Sequence, residues 1–242
     1  MMKFMIAFAP PDGMSRQACI HHYRHRHGAL VGSVPEFRAE VMAYCQNEVL
    51  QDGSVSGPRN DIAGVSELWF SDWARYGAAF SHPRYLERIR PDEARFADLS
   101  SVLVAFATEQ VVFKKCATPV YKLFLYREKS IGLAHGECTR LWDAYGRAAA
   151  ADPRVAGLAD AYIRNNSVPP HENPFPLARV FDCIDEFWLR RPEDAESIAS
   201  LLVEHASVAG LGTDSVSLRF VAQVFPVPGF GGAKLRGDSA GE

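Results

Sequence analysis

The 242-residue chain has only five cysteines, Cys19, Cys45, Cys116, Cys138 and Cys183, an odd number with no C-x-x-C pair. This argues against a disulfide framework or a zinc ribbon and fits a reducing, cytoplasmic setting. No apolar run approaches the roughly 20 residues needed to span a bilayer, so no membrane partner is expected. Met1 to Pro10 is too short for the three regions of a signal peptide and reads as a first strand. Neither sign of charge dominates: 26 Lys and Arg stand against 29 Asp and Glu, a formal net charge of −3. A nucleic-acid partner is therefore not expected. P-loop, G-x-G-x-x-G, G-x-S-x-G and H-E-x-x-H motifs are missing. Nucleotide-dependent transfer and triad hydrolysis lose support, and neither a cofactor nor a metal is expected.

What is present suits a packed domain, with 48% hydrophobic and 23% charged residues. Lys3 to Ala9 is a short apolar run stopped by Pro10-Pro11-Asp12-Gly13. Ser15 is a candidate N-cap for a helix running to about Gly28, with Ile20, Tyr23, His27 and Leu30 on its packed stripe. Strands are predicted at 41–50 and 62–70, separated by a polar loop at 51–60. Helical segments follow at 72–80 and 83–98, and a fourth strand lies within 99–113. The order βαββαβ is that of a ferredoxin-like α+β unit.

The pattern then starts again. A displacement of 119 carries Lys3-Phe4 to Lys122-Leu123, Gly13 to Gly132, Cys19 to Cys138 and Asn47 to Asn166. It also carries Glu67-Leu68-Trp69-Phe70 to Glu186-Phe187-Trp188-Leu189. Gln110-Val111-Val112 resembles Gln223-Val224-Phe225 at a smaller shift. Internal duplication is the leading explanation, against two unrelated α+β halves. Its physical use is plain. Helices cover one face of a four-stranded sheet, and a second unit in the same chain can bury the other. The expected division is 1–113 for the first repeat, 120–228 for the second and 229–242 for a Gly-rich flexible tail.

Several short pieces of 1–113 together resemble the EthD-domain family. They are Gly13-Met14-Ser15, Tyr23, His27-Gly28-Ala29-Leu30, Tyr44-x-Gln46-Asn47, Glu67-Leu68-Trp69-Phe70, Asp92-Glu93-Ala94-Arg95-Phe96 and Glu109-x-Val111-Val112. The second half departs from this pattern, with Gly146 where His27 maps and Ile163 where Tyr44 maps. The resemblance implies two ferredoxin-like repeats paired as an intrachain dimeric α/β barrel. Relatives in that wider group include cofactor-free dehydratases, cyclases and oxygenases of aromatic compounds, and accessory proteins of degradation pathways.

His27 is the first candidate for catalysis, because imidazole titrates near working pH and can shuttle a proton. The alternative is a structural histidine near a helix end. Tyr23, one turn earlier, and Tyr44, on the second strand, are candidates to hydrogen-bond a substrate oxygen. Core packing is the competing reading, favoured for Tyr23. Glu67 is a carboxylate inside an apolar run, where burial would raise its pKa and make it a candidate general acid or base, and alternation sets it with Val65 and Trp69 on one strand face. Its recurrence as Glu186 favours an architectural role. Asn47 and Trp69 are candidate substrate contacts, although alternation sets Asn47 opposite Tyr44. His82 is a candidate for the pocket rim. His21 and His25, one turn apart, invite a metal reading that the crowding arginines weaken. A solvated basic face is the better reading there. His135, His171 and His205 read as loop or helix histidines.

The expected activity is cofactor-free proton-transfer chemistry of dehydratase or cyclase type on a hydrophobic, aromatic or polyketide-like molecule. The alternatives are a cofactor-independent monooxygenase and a non-catalytic binding protein. A homodimer of the two-repeat chain is a possible assembly.

Overall fold

The computed structural model describes residues 1–51, 61–115, 118–128, 134–168, 181–211 and 216–230. Its first half runs β1 (Met2–Phe8), α1 (Arg16–His22), a π-helical turn (Tyr23–His27), α2 (Gly28–Gly32), α3 (Pro35–Glu40), β2 (Ala43–Val49) and β3 (Gly64–Phe70). Then come α4 (Trp73–Ser81), a second π-helical turn (Tyr85–Ile89), α5 (Arg90–Glu93) and β4 (Leu103–Lys114). The second half has β5 (Tyr121–Arg127), α6 (His135–Ala151), α7 (Pro153–Leu158), β6 (Ala159–Ser167), β7 (Cys183–Leu189), α8 (Asp194–Val208) and β8 (Val216–Pro226). The expected loop beyond Gln51, Gly132, Cys116, the loop holding His171, and the tail beyond Phe230 lie outside the described residues. Among the described residues no helix is long and apolar enough to cross a membrane.

The strands close into one barrel in the order β1-β3-β2-β8-β5-β7-β6-β4, each pairing antiparallel. The halves meet edge to edge as well as face to face. β2 pairs with β8 and β4 with β6, so no open sheet edge is left. Alternation explains why the strands read as nearly continuous apolar runs. Met5 and Ala7 point into the barrel, packing with Phe124, Tyr126 and Phe220 of the other half. Phe4 points outward beneath the helices, against Tyr76 and Phe106.

Register corrects the ungapped displacement. β2 sets Tyr44 against Leu68 and Asn47 against Val65. β6 sets Tyr162 against Phe187 and Asn165 against Ile184. Tyr44 therefore corresponds to Tyr162 rather than Ile163, and Asn47 to Asn165 rather than Asn166. The shift drops from 119 to 118 because the first half holds one extra residue in its π-helical turn. α6 runs as a single helix. Gly28 then corresponds to Gly146, and each lies against the matching strand side chain, Gln46 or Arg164. His27 corresponds to Tyr145. On the last strands, Phe4 pairs with Phe106 and Leu123 with Val221, a shift of 115 that differs from the Gln110–Gln223 likeness.

The same π-helical turn moves the packed stripe. Ile20, Tyr23 and His27 are buried as expected, but beyond Gly28 the next buried position is Val31, and Leu30 is half-exposed. The expected tail is also anchored at its start, where Phe230 meets Tyr44 edge-on with ring centroids 5.6 Å apart.

Candidate active site

A cavity of about 190 Å³ lies between the outer face of the first-half sheet and its helices. Phe4, Ile6, Leu68 and Val104 form its floor, and His27, Tyr44, Ser66 and Glu93 supply polar atoms to its wall. His27 is 5% exposed and sits at the end of the first π-helical turn. Such turns are rare, and they frequently mark functional sites. This one is held from outside. The Tyr23 carbonyl accepts the Gly28 N–H and also the side-chain amide of Gln46, at 2.6 Å.

His27 Nδ1 lies 3.0 Å from Asp92 Oδ2, and His22 Nε2 lies 2.9 Å from Asp92 Oδ1. Burial opposes ionisation of Asp92, but the hydrogen bonds from His27 and His22 outweigh it and hold its carboxyl below the ordinary value. An ionised Asp92 can only accept, so the Nδ1 of His27 carries a proton, and in the neutral ring the lone pair is the one on Nε2. That Nε2 has no hydrogen-bond partner among the described residues, while the ring lines the cavity and packs 4.8 Å from Phe96. Asp92 reaches this place through α5, which follows the second π-helical turn. Pro91, in the first turn of α5, has no N–H to donate to the preceding turn.

The hydroxyls beside it form a chain. Tyr23 donates to the Val65 carbonyl at 3.0 Å, which uses its proton. Ser66 Oγ, 2.9 Å away, then donates to Tyr23. Tyr44 lies 3.4 Å from Ser66 and accepts from Gln46 Nε2 at 3.4 Å. Both contacts are long for a hydroxyl, so the Tyr44 proton is only weakly engaged and is open to a guest in the cavity. Burial pushes the Tyr44 phenol well above its ordinary pKa, which keeps it a donor.

Of the residues singled out in the sequence, the structure brings His27 and Tyr44 together on this wall. Tyr23 stacks near His27, with centroids 6.4 Å apart, but is fully buried and outside the lining. Glu67, Asn47 and Trp69 face the barrel interior, on the other side of the sheet. There Lys3 Nζ bridges Glu67 at 2.5 Å and Glu186 at 2.6 Å, and Lys122 Nζ bridges the same pair at 2.6 and 2.7 Å. Asn47 donates to Glu67 at 2.9 Å, and Trp69 lies under Lys3. His82 ends α4, where its Nδ1 accepts the Arg84 N–H at 3.1 Å, away from the cavity lining. His21 and His25 are exposed neighbours, and no group of three metal-ligating side chains exists among the described residues.

Sequence reasoning missed Asp92 as the partner of His27, and Ser66, Tyr85 and Glu93 as wall residues. The available signal was the adjacent carboxylate pair after Pro91, 65 positions from His27 in the chain.

The matching positions of the second half form a filled network. Phe8, His27, Tyr44 and Ser66 are replaced there by Arg127, Tyr145, Tyr162 and Asp185. Arg127 donates to Asp185 at 2.5 Å and to the Tyr145 hydroxyl at 2.7 Å, and Tyr162 donates to Asp185 at 2.7 Å.

Residues 11–100 match the family model of the EthD domain. No curated protein matches the chain in sequence. Among solved structures the chain is similar to an anthrone oxidase-like protein, at 8% identity and a TM-score of 0.59, covering 94% of this chain and 93% of that one. It is also similar to a chlorite dismutase variant from Candidatus Nitrospira defluvii, at 11% identity and a TM-score of 0.56, covering 93% and 92%. A putative monooxygenase from Lactobacillus acidophilus gives 8% identity and a TM-score of 0.50, covering 93% of both chains. These likenesses establish the fold. The cavity with His27 and Asp92 thus lies largely within the stretch that matches the EthD-domain model, in the first half of a chain with the dimeric α/β-barrel fold.

Proposed function

We propose that the chain is a cofactor-free enzyme that removes a proton from a hydrophobic, aromatic small molecule, with His27 Nε2 as the general base. The observation that carries this reading is the His27 ring on the wall of an apolar cavity, with its other nitrogen fixed by ionised Asp92. Tyr44 donates to the oxygen on which negative charge develops, and the apolar floor excludes water and strengthens that hydrogen bond. A dry cavity of about 150 Å³ holds benzene in another protein, so about 190 Å³ suits one or two fused rings. Polyketide-sized substrates would need it to widen.

Two outcomes follow from the same carbanion or enolate. Loss of a neighbouring hydroxyl as water, with the proton returned from His27, gives the dehydratase reaction, and attack of the enolate carbon on a carbonyl of the same molecule, with that proton going to the new alkoxide, gives the cyclase reaction. Electron transfer to dioxygen gives a cofactor-independent monooxygenase, the reading that the names of the anthrone oxidase-like and monooxygenase neighbours favour. The architecture supports a further proposal, that 1–113 and 120–228 are tandem ferredoxin-like repeats. Their strands run β4-β1-β3-β2 and β8-β5-β7-β6.

The test uses 2-tetralone in D₂O, with exchange at its acidic methylene followed by proton NMR and oxygen uptake recorded in parallel. Exchange above the buffer rate, falling about 10²–10⁴-fold in His27→Ala, is expected. Wild-type exchange no faster than buffer would sink the proposal. Oxygen uptake that depends on substrate would select the monooxygenase branch.

A further inference from the structure

The cavity wall carries a carboxylate that the proton-transfer step does not use. Glu93 follows Asp92 directly in α5, yet it lines the cavity rather than the histidine pair. Its Oε1 accepts from the Tyr85 hydroxyl at 3.1 Å. Its Oε2 accepts from the same hydroxyl at 3.2 Å and from Arg90 Nη1 at 2.8 Å. A carboxylate offers about four acceptor sites, so these donors leave Glu93 with spare capacity. Tyr85 and Arg90 line the cavity beside it, and Tyr76 stands near enough for Glu93 to push its phenol upward, after burial as the larger cause. An acceptor with unused lone pairs on the wall of a largely apolar chamber is complementary to a donor on the guest.

The geometry points to Glu93 as a specificity subsite that takes a hydroxyl of a neutral, hydroxylated aromatic substrate and repels a carboxylated one. The inference rests on the cavity being the substrate site, but not on His27 being the base. A hydroxyl bound here makes a charge-assisted O–H···O⁻ bond, stronger than a neutral one. A carboxylate brought to the same wall meets like charge in a medium that screens it poorly.

The test is calorimetric titration with naphthalene, 2-naphthol and 2-naphthoate, which reads binding without turnover. Wild-type protein is expected to bind 2-naphthol about tenfold to a hundredfold more tightly than naphthalene, and to bind 2-naphthoate most weakly. Glu93→Gln should lower the hydroxyl preference several-fold and raise 2-naphthoate affinity. Tyr85→Phe frees acceptor capacity on Glu93, so the preference for 2-naphthol should persist or grow. Equal binding of naphthalene and 2-naphthol to the wild type would overturn the subsite while leaving the base untouched. So would a preference that survives in Glu93→Gln and Glu93→Leu alike. Failure of all three ligands to bind would overturn the subsite together with the cavity reading beneath it. Thermal melts of each variant confirm that folded protein is being titrated.

Discussion

The side chain that decides how His27 behaves stands 65 positions further along the chain. Asp92 accepts from both His22 and His27, and so fixes which imidazole nitrogen faces the cavity. Asp92→Asn keeps the shape but can present an N–H to His27, which favours the wrong tautomer. Turnover should fall on the order of 10²-fold with KM nearly unchanged, and steady-state kinetics on the exchanging ketone would separate this from a general loss of structure. Cysteine chemistry is also set at this scale. Burial pushes Cys45 and Cys183 up to about 12 and Cys19 up to about 11. Native protein should therefore leave these three thiols unlabelled by a disulfide reagent at pH 8, and denaturant should expose them. Rapid native labelling at any of the three, located by mass spectrometry, would contradict the burial. His27 and Tyr44 were legible as candidates in the sequence because they stand in the pieces that resemble the EthD family and fall on packed faces. Asp92 and Glu93 were not, since adjacent carboxylates near a short helix usually mean a solvated end. Only tertiary contact shows which of the two points where.

At the scale of elements, the two π-helical turns are what the sequence concealed. Helical periodicity assumes 3.6 residues per turn, so it placed Leu30 on the packed stripe where the widened turn instead buries Val31. The same extra residue broke the ungapped comparison of the halves and hid the match of Tyr44 with Tyr162. Strands fared better, because period-2 alternation survives such shifts within one strand: it set Asn47 opposite Tyr44 and Glu67 on one face with Val65 and Trp69. The first π-helical turn depends on Gly28. A Cβ there would stand 2.8 Å from Gln46 Oε1, and Gln46 is committed to the Tyr23 carbonyl. Gly28→Ala should cost about 1–3 kcal/mol by overpacking and should displace His27. Gly77→Ala, in α4 with nothing within 4 Å of the added carbon, should instead stabilise by about 0.5–1 kcal/mol. Denaturant titration of the two variants gives the comparison, and equal effects would refute the role of the turn.

For the whole molecule, the shared Glu-apolar-Trp-apolar block pointed to the barrel's centre. Glu67 and Glu186 meet there between Lys3 and Lys122, one acid and one base from each half. Burial opposes the charges of Glu186, Lys3 and Lys122. Even so, Lys122 and Lys3 hold the Glu186 carboxyl below its ordinary pKa, and Glu186 with Glu67 hold both lysines above theirs. A carboxyl lowered on folding stabilises above its unfolded pKa, about 4.3, and loses that contribution as pH falls below it toward the folded value. The melting temperature should therefore drop steeply below about pH 4, and Glu186→Gln should flatten that slope. Lys122→Met leaves buried carboxylates underpaired and should cost about 3–5 kcal/mol at neutral pH, read by thermal or chemical unfolding.

The hollow under the first-half helices has a consequence for how such a molecule is built. At about 24 cal/mol for each Å³ left unfilled, an empty space of 190 Å³ weakens the native state by about 5 kcal/mol. An assembly of two identical subunits would carry that void twice and could change neither copy alone. With both halves on one chain, one side can stay hollow and receptive while the other, plugged by Arg127 and its tyrosines, keeps the shell rigid.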